Sequence, residues 1–598
     1  MPFVRLVSSA VLTSLCLGAP LALAHAQMLP TVTADVVVTA TTTPVPTQTV
    51  GRSVVTLSRE DLTRLGISSV IEGLRLLPGI DPRARGGRDV QTDFSVRGAT
   101  FGQALVLIDG VRLNNAQSGH HNGEIPAPLL GIDRIEMLFG PASAVHGADA
   151  LGGTIQILTR TDRHQTVDVS LAQFGTLSAQ ASSSGWGLPA AWTMSAWGAR
   201  SDGFMFDRDY GQGGASLRGR LRPGLIVDAR HQRRAFGANG FYGNSPSKEW
   251  TDGTVISGVW GVTGSTWFSQ TRVAARRHND RFRWDIRRPG FAENTHRTDA
   301  IDADLTLSRV TGSTIQVNVG AGGGGDWIES SNLGDHTYGR AYGFAEALWT
   351  PISRVSVQAG ARVDHYSTFG TAWNPSVAVS TMVNDRVRLR TSVARAFRIP
   401  TFTERFYTDP AHKASDALDP EHGWSVDAGL EVTAAEWTLA VSPFTRWDTD
   451  VIDWVRQVPT DRWRTTNVHD VTTRGVEVSA SRRWASALLR AHYSVLDVEA
   501  ARPAALSKYV LEYARQSAGL AVAVPTGWKT QLAVTADARD RVASIGGQQY
   551  VLVGARLTRP VSRVDVYVEG TNLLDETYRE IAGVPMPGRT LGIGLRLR

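Results

Sequence analysis

Val355-Ser356-Val357-Gln358-Ala359-Gly360-Ala361-Arg362-Val363-Asp364 alternates apolar or small residues with more polar ones. Successive side chains of a strand point to opposite faces, so this segment reads as a strand with one apolar and one polar face. The same period of two recurs at Val167, Val169 and Leu171, at Val564, Val566 and Val568, and at Leu591, Ile593, Leu595 and Leu597. Residues 161–598 hold about 22 such stretches, each of ~9–11 residues, the length with which a tilted strand crosses a bilayer. A propeller would show a blade repeat, and no fixed period is found. Strands in lipid must satisfy every backbone group, which forces closure. The expected fold is therefore a transmembrane β-barrel of about 22 antiparallel strands around a polar lumen.

Connections between the strands fall into short turn-rich pieces and long ones, such as Phe236 to Asp252, Asn279 to Asp299 and Ile399 to Gly423. Outer-membrane barrels have short periplasmic turns and long external loops. Trp250, Trp260, Trp267, Trp284, Trp349, Trp373, Trp424, Trp437, Trp447 and Trp454 recur near strand ends, where interfacial girdles form. A lumen this wide leaks unless plugged.

The stopper is legible upstream. In residues 51–160, Ser58 is placed to cap a helix through Leu62 and Leu65 that stops at Gly66. Ser69-Val70-Ile71-Glu72 fits a capping box ahead of a second helix carrying Val70, Leu74 and Leu77. Strands follow at Asp93–Arg97, Leu105–Ile108, Asp133–Phe139 and Gly152–Leu158. This is an α/β plug domain of ordinary size, expected inside the lumen.

The N-terminus sets the compartment. Arg5, the apolar run Val11–Leu23 and Ala24-His25-Ala26 read as a signal peptide over residues 1–26. It contains Cys16, the only cysteine, so the exported chain forms no disulfide. The formal charge of +6 comes almost wholly from scattered arginines. No basic cluster with interleaved aromatics suggests nucleic acid.

Several segments carry a family resemblance. Asp35-Val36-Val37-Val38-Thr39-Ala40, within a periplasmic segment 27–50, resembles a TonB box. Phe94–Gly98, Leu105–Asn114 and Ile132–Gly153 resemble plug signatures. Arg395–Phe402, Leu418–Glu421, Asn572–Asp575 and Pro587–Thr590 resemble barrel segments. Over essentially its whole mature length the chain resembles the TonB-dependent outer-membrane receptors. The resemblance implies the outer membrane of a Gram-negative bacterium, a TonB-type coupling partner that adds a strand to the box, and active import of a ferric siderophore or cobalamin. The runners-up are import of another metal chelate and a passive or structural barrel. A signalling receptor would carry a further domain ahead of the box, and only residues 27–34 stand there. Such barrels usually end on an aromatic, whereas this chain ends on Arg598. A monomer is expected.

The pattern holds no nucleophile elbow, His-Glu-x-x-His motif or phosphate loop, so neither catalysis nor a resident cofactor is expected. Gly320–Gly325 matches a dinucleotide pattern formally but ends a strand with no helix after it. His120, His121, Asn122 and Glu124 form a metal-like cluster on the plug. Adjacent histidines in a strand point apart, so joint binding needs a loop. Arg83, Arg85 and Arg88 are candidate contacts for an anionic ligand, and Asp202, Asp207 and Asp209 for calcium, although their spacing fits no known loop. Arg97, Arg134 and Glu136 are expected to pair with lumen charges such as Arg362 or Asp364.

Overall fold

The computed structural model describes residues 36–185, 191–243, 245–468, 470–500, 506–542 and 547–597. The signal peptide, Asp35 and Arg598 lie outside them. A closed barrel of 22 strands runs from Gln165–Ala172 to Thr590–Leu597. These two strands pair with each other, Val167 opposite Leu597, and Arg596 meets Asp168 at 2.8 Å across the closure.

Burial runs opposite to that of a soluble sheet. Val363 is 49% exposed while its neighbour Asp364 is 1% exposed. Apolar faces therefore meet lipid, and polar faces line the lumen. Among the described residues, no helix is long and apolar enough to cross a membrane.

Many strands exceed the expected length: Trp267–Arg283 has 17 residues and Glu293–Thr311 has 19. Their surplus carries outward charges, such as Arg277 on Asp299 and Arg297 on Glu329. Such pairs belong in water, so these strands continue beyond the bilayer. The expected loops shrink accordingly to 238–247 and 284–292. Two-residue turns at 223–224, 353–354, 385–386, 435–436 and 485–486 mark one end, and the long connections mark the other. Short turns identify the periplasmic side. Gly320–Gly325 lies inside strand Ile315–Ser330, and a Cβ at Gly322 would come within 2.5 Å of the Tyr342 ring. The glycines make room for neighbouring rings rather than for a cofactor. Trp260, Trp267, Trp349, Trp373, Trp424 and Trp447 are exposed on the wall, whereas Trp454 is buried.

The plug fills the lumen. Its sheet orders Val54–Ser58, Ile132–Phe139, Gly153–Thr159, Ala104–Ile108 and Val111–Arg112. Helix Arg59–Arg64 starts at Ser58 with a reciprocal Ser58–Asp61 box. At Ser69 the box is only half formed: the Ser69 side chain accepts from the Glu72 amide, while the Glu72 carboxylate takes the Ser68 amide instead. Leu57, Leu74, Leu77, Ile135 and Ile155 are wholly buried in the core.

Plug and wall meet through apolar patches, where Ala521, Ala523 and Ala533 of the wall join the plug core, and through charge. Arg97 bonds Glu477 at 2.8 Å and also pairs with Asp427. Asp61 takes Arg483 at 2.6 Å and Arg490 at 3.0 Å, Arg541 reaches Asp81 at 2.6 Å, and Arg75 reaches Glu580 at 2.7 Å. The expected pairing with Arg362 and Asp364 is not formed. Those two pair with each other on one strand, and Arg134 pairs with Glu136, because residues two apart share a face.

Candidate functional site: the two ends of the plug

At the periplasmic end the segment Val36–Ala40, expected as an exposed handle, is docked instead. Val36–Val37 pairs antiparallel with Val45–Pro46. The Glu136 carboxylate accepts from the Val38 amide at 2.9 Å, the Thr39 amide at 3.1 Å and the Thr39 hydroxyl at 2.6 Å. Arg134 holds that carboxylate in place at 2.8 Å. The barrel takes the next residues: Glu346 accepts from the Thr42 amide at 3.1 Å, and Gln358 donates to the Ala40 carbonyl at 2.9 Å. Val37, Thr39 and Ala40 are consequently buried. His146 stands 2.8 Å from the Thr39 carbonyl. Burial drives its pKa down to about 3 against that bond, so a neutral ring donates at ordinary pH.

At the outer end the plug carries a 3-10 turn, Gly119–His121, whose start is held by the Ser118 side chain. A Cβ at Gly119 would sit 2.6 Å from Phe101, so only glycine lets the turn lie on that ring. Asn122 fixes the loop from behind, accepting from the Asn115 amide at 3.1 Å.

The turn sends its two histidines to different places. His120 stacks on Phe101 with ring centres 4.4 Å apart, and Tyr509 meets Phe101 edge-on at 5.0 Å. Its Nδ1 is 2.9 Å from Asp93, which Arg85 also holds at 2.8 Å. Burial lowers the His120 pKa although Asp93 opposes this. His121 instead reaches Glu124 at 3.0 Å and Asp280 at 3.7 Å. Burial would lower its pKa, but the bonds to Asp280 and Glu124 prevail and hold it well above the ordinary value.

Above the turn lies a cavity of about 170 Å³. His120 and His121 line it, with Glu249, Asp280, Tyr242, Trp454, Lys508 and Tyr509. A small outer sheet of His412–Lys413, Trp463–Val468, Val451–Arg456 and Leu506–Ser507 roofs it. Asp453 pins two of these loops, accepting from the Tyr509 amide at 3.1 Å and the Ser507 hydroxyl at 2.5 Å. Lys508 donates to His412 Nε2 at 3.0 Å, and burial pushes its pKa down to about 8.

Arg83, Arg85 and Arg88 do not line this cavity. Arg83 donates to the Glu512 carbonyl, Arg85 binds Asp93 and Arg88 binds Glu569. Glu124 and Asn122 lie behind the turn. Asp209 is held by Lys248 at 2.8 Å, and burial beside Asp209 raises Asp207 to about 6. Among the described residues, Asp202, Asp207 and Asp209 do not close into a cluster of metal-ligating atoms. Glu249, His278, Asp280, Trp454 and Lys508 carry no sequence signal as a group. Their only hint is strand parity, which places Glu249, His278 and Asp280 on the lumen face.

Residues 147–575 match the TonB-dependent receptor-like β-barrel and residues 46–154 the TonB-dependent receptor plug domain. The chain belongs to the TonB-dependent receptors of the outer membrane. It is 24% identical over 488 residues to the vitamin B12 transporter BtuB of Vibrio vulnificus, covering 77% of each chain. It is 27% identical over 388 residues to an iron-regulated outer membrane virulence protein of Vibrio cholerae, covering 59% of this chain and 58% of that one. Among solved structures, the siderophore receptor PirA of Acinetobacter baumannii superposes with a TM-score of 0.75 at 14% identity, over 92% of this chain and 98% of that one. The ferric enterobactin receptor PfeA of Pseudomonas aeruginosa gives 0.73 at 15% identity, over 91% and 98%.

Proposed function

We propose that the protein imports a metal-bearing solute of the ferric siderophore or cobalamin kind, using energy delivered by a TonB-type partner. The observation that carries this reading is the docked box. Strand addition recruits a partner through free backbone groups, and here those groups are held by Glu136, Glu346 and Gln358. The segment is thus a latch that must leave before it is pulled. Leaving breaks these polar bonds and also draws Val37, Ala40 and Val45 out of an apolar cluster with Leu105, Leu107 and Leu138. The relatives named for vitamin B12, iron and siderophores supply the class of cargo.

The cavity of about 170 Å³ is small beside the ~300–1,000 Å³ of ordinary ligand pockets. The test is equilibrium binding of cyanocobalamin and ferric enterobactin to the detergent-solubilised protein, with and without calcium. Saturable binding of either supports the reading, and strengthening by calcium that is lost in Asp207→Asn would place a calcium requirement at that loop. Binding of neither, with free passage of sugars through liposomes carrying the protein, favours the passive barrel.

A further inference from the structure

The apex gathers metal-ligating side chains from elements far apart in the chain. His121 and Glu124 come from the plug, Glu249 from strand Lys248–Thr263, and His278 and Asp280 from strand Trp267–Arg283. Two triads form, His121 with Glu124 and His278, and His121 with Glu249 and Asp280. In each, the candidate ligand atoms lie within 4.8 Å of one another. Around a tetrahedral ion with bonds of 2.0–2.2 Å, ligand atoms stand about 3.3–3.6 Å apart. His121 Nδ1 is already 3.0 Å from Glu124, and His278 Nε2 is 3.3 Å from the same carboxylate. The side chains need only small shifts to enclose an ion.

Charge points the same way. Among the described residues, no lysine or arginine forms an ion pair with Glu124, Glu249 or Asp280, and their charged contacts are imidazoles. Buried carboxylates call for a cation or for ligation. Asp280 is 7% exposed, and its Oδ1 is buried with no hydrogen-bond partner, as is the Gln117 amide oxygen. A settled hydrogen-bonded cluster would not leave these acceptors unused.

The two triads differ in position. His121, Glu249 and Asp280 line the cavity, while Glu124 and His278 lie deeper. His121 turns its Nε2 toward the first group and its Nδ1 toward the second. We propose that this apex binds a bare divalent transition-metal ion of the zinc class directly through protein side chains. The ion displaces a proton from His121 to solvent, is received at His121 Nε2, Glu249 and Asp280, and passes to His121 Nδ1, Glu124 and His278 as the remaining ring proton moves to Nε2. Imidazole with carboxylate suits such ions better than calcium or magnesium, which take oxygen ligands. The proposal goes beyond the chelate cargo named above and rests on the import reading only for the energised passage of the ion.

The test is titration of the purified, detergent-solubilised protein with zinc chloride by calorimetry and with cobalt chloride by visible absorption. Saturable binding, with intense cobalt bands of an imidazole–carboxylate site, is expected. His121→Ala removes the shared ligand and should weaken binding at least ~100-fold. His278→Gln and Asp280→Asn sit on rigid strands, keep the fold, and should each weaken it ~10-fold or more. Equal binding by wild type and all three variants, or none by wild type, overturns the site. Radioactive zinc uptake by cells carrying Val37→Pro separates the two readings. Zinc binding with uptake indifferent to Val37→Pro leaves the site standing and sinks energised import. No zinc binding, with chelate uptake lost in Val37→Pro, sinks the site and leaves import standing.

Discussion

The inside of the plug is apolar, whereas its outside adds buried ion pairs with the barrel wall to apolar patches such as Ala521 and Ala523. Inside, Leu74, Ile135 and Ile155 are buried against one another. Outside, Arg97, Asp61 and Asp81 are buried and Arg75 is half-buried, and all four face charges on the barrel wall. An apolar core parted in water loses its driving force. A charged seam exchanges ion pairs for hydration, and buried ion pairs contribute little net stability against that alternative. The difference teaches how a stopper remains one body yet stays separable from its pore.

The seam is broken hardest at Arg97. Arg97→Ala strands Glu477 and Asp427 without their shared cation, and loss of one partner of a buried pair costs about 3–5 kcal/mol. Plug unfolding in urea, followed by hydrogen exchange in detergent, should shift by that amount, with the barrel unaffected. Leu74→Ala tests the other side. A cavity at this fully buried core position should cost about 2–5 kcal/mol and loosen all plug amides together, while Arg97→Ala should loosen those beside the seam first. If the two variants gave the same exchange pattern, the distinction between core and seam would fail.

Glu136→Gln addresses the latch alone. It removes the charge from bonds to the Val38 and Thr39 amides. Hydrogen bonds to charged groups contribute about 1.5–3 kcal/mol, so a spin label at Val45 should become mobile while the plug stays folded. The smallest effect is with pH. The His146 pKa lies near 3 when docked and about 6.5 when free. The undocked ring binds more protons between those values, so docking is fully supported above about pH 6.5 and weakens as pH falls toward 3. The same spin label should gain a mobile fraction over that window in wild type and not in His146→Gln.

How much of this was legible depended on range. The period of two at Val355–Asp364, the Ser58 cap and the plug strands are local patterns and stand in the structure where the sequence puts them. Strand length was not legible, since charged surplus such as Arg277 and Asp299 looks like loop until its partner strand is known. The seam was harder still: Arg97 and Glu477 are 380 residues apart, and no pairing of scattered arginines follows from order alone. The valines at 36–38 announce an extended segment, yet its burial depends on Glu136, Glu346 and Gln358, which sequence does not connect. At the apex, His120 and His121 stood out, but the turn that separates them and the strands that complete the His121 cluster did not.

Val36–Ala40, on the function proposed above, is a latch which a periplasmic partner pulls. The direct measurement compares cell-surface binding and energised uptake of one cargo by wild type and Val37→Pro. Proline removes a backbone donor from the strand the partner would add. The account predicts unchanged surface binding and uptake reduced more than tenfold to the level of cells lacking the coupling protein. Uptake by Val37→Pro equal to wild type would contradict it.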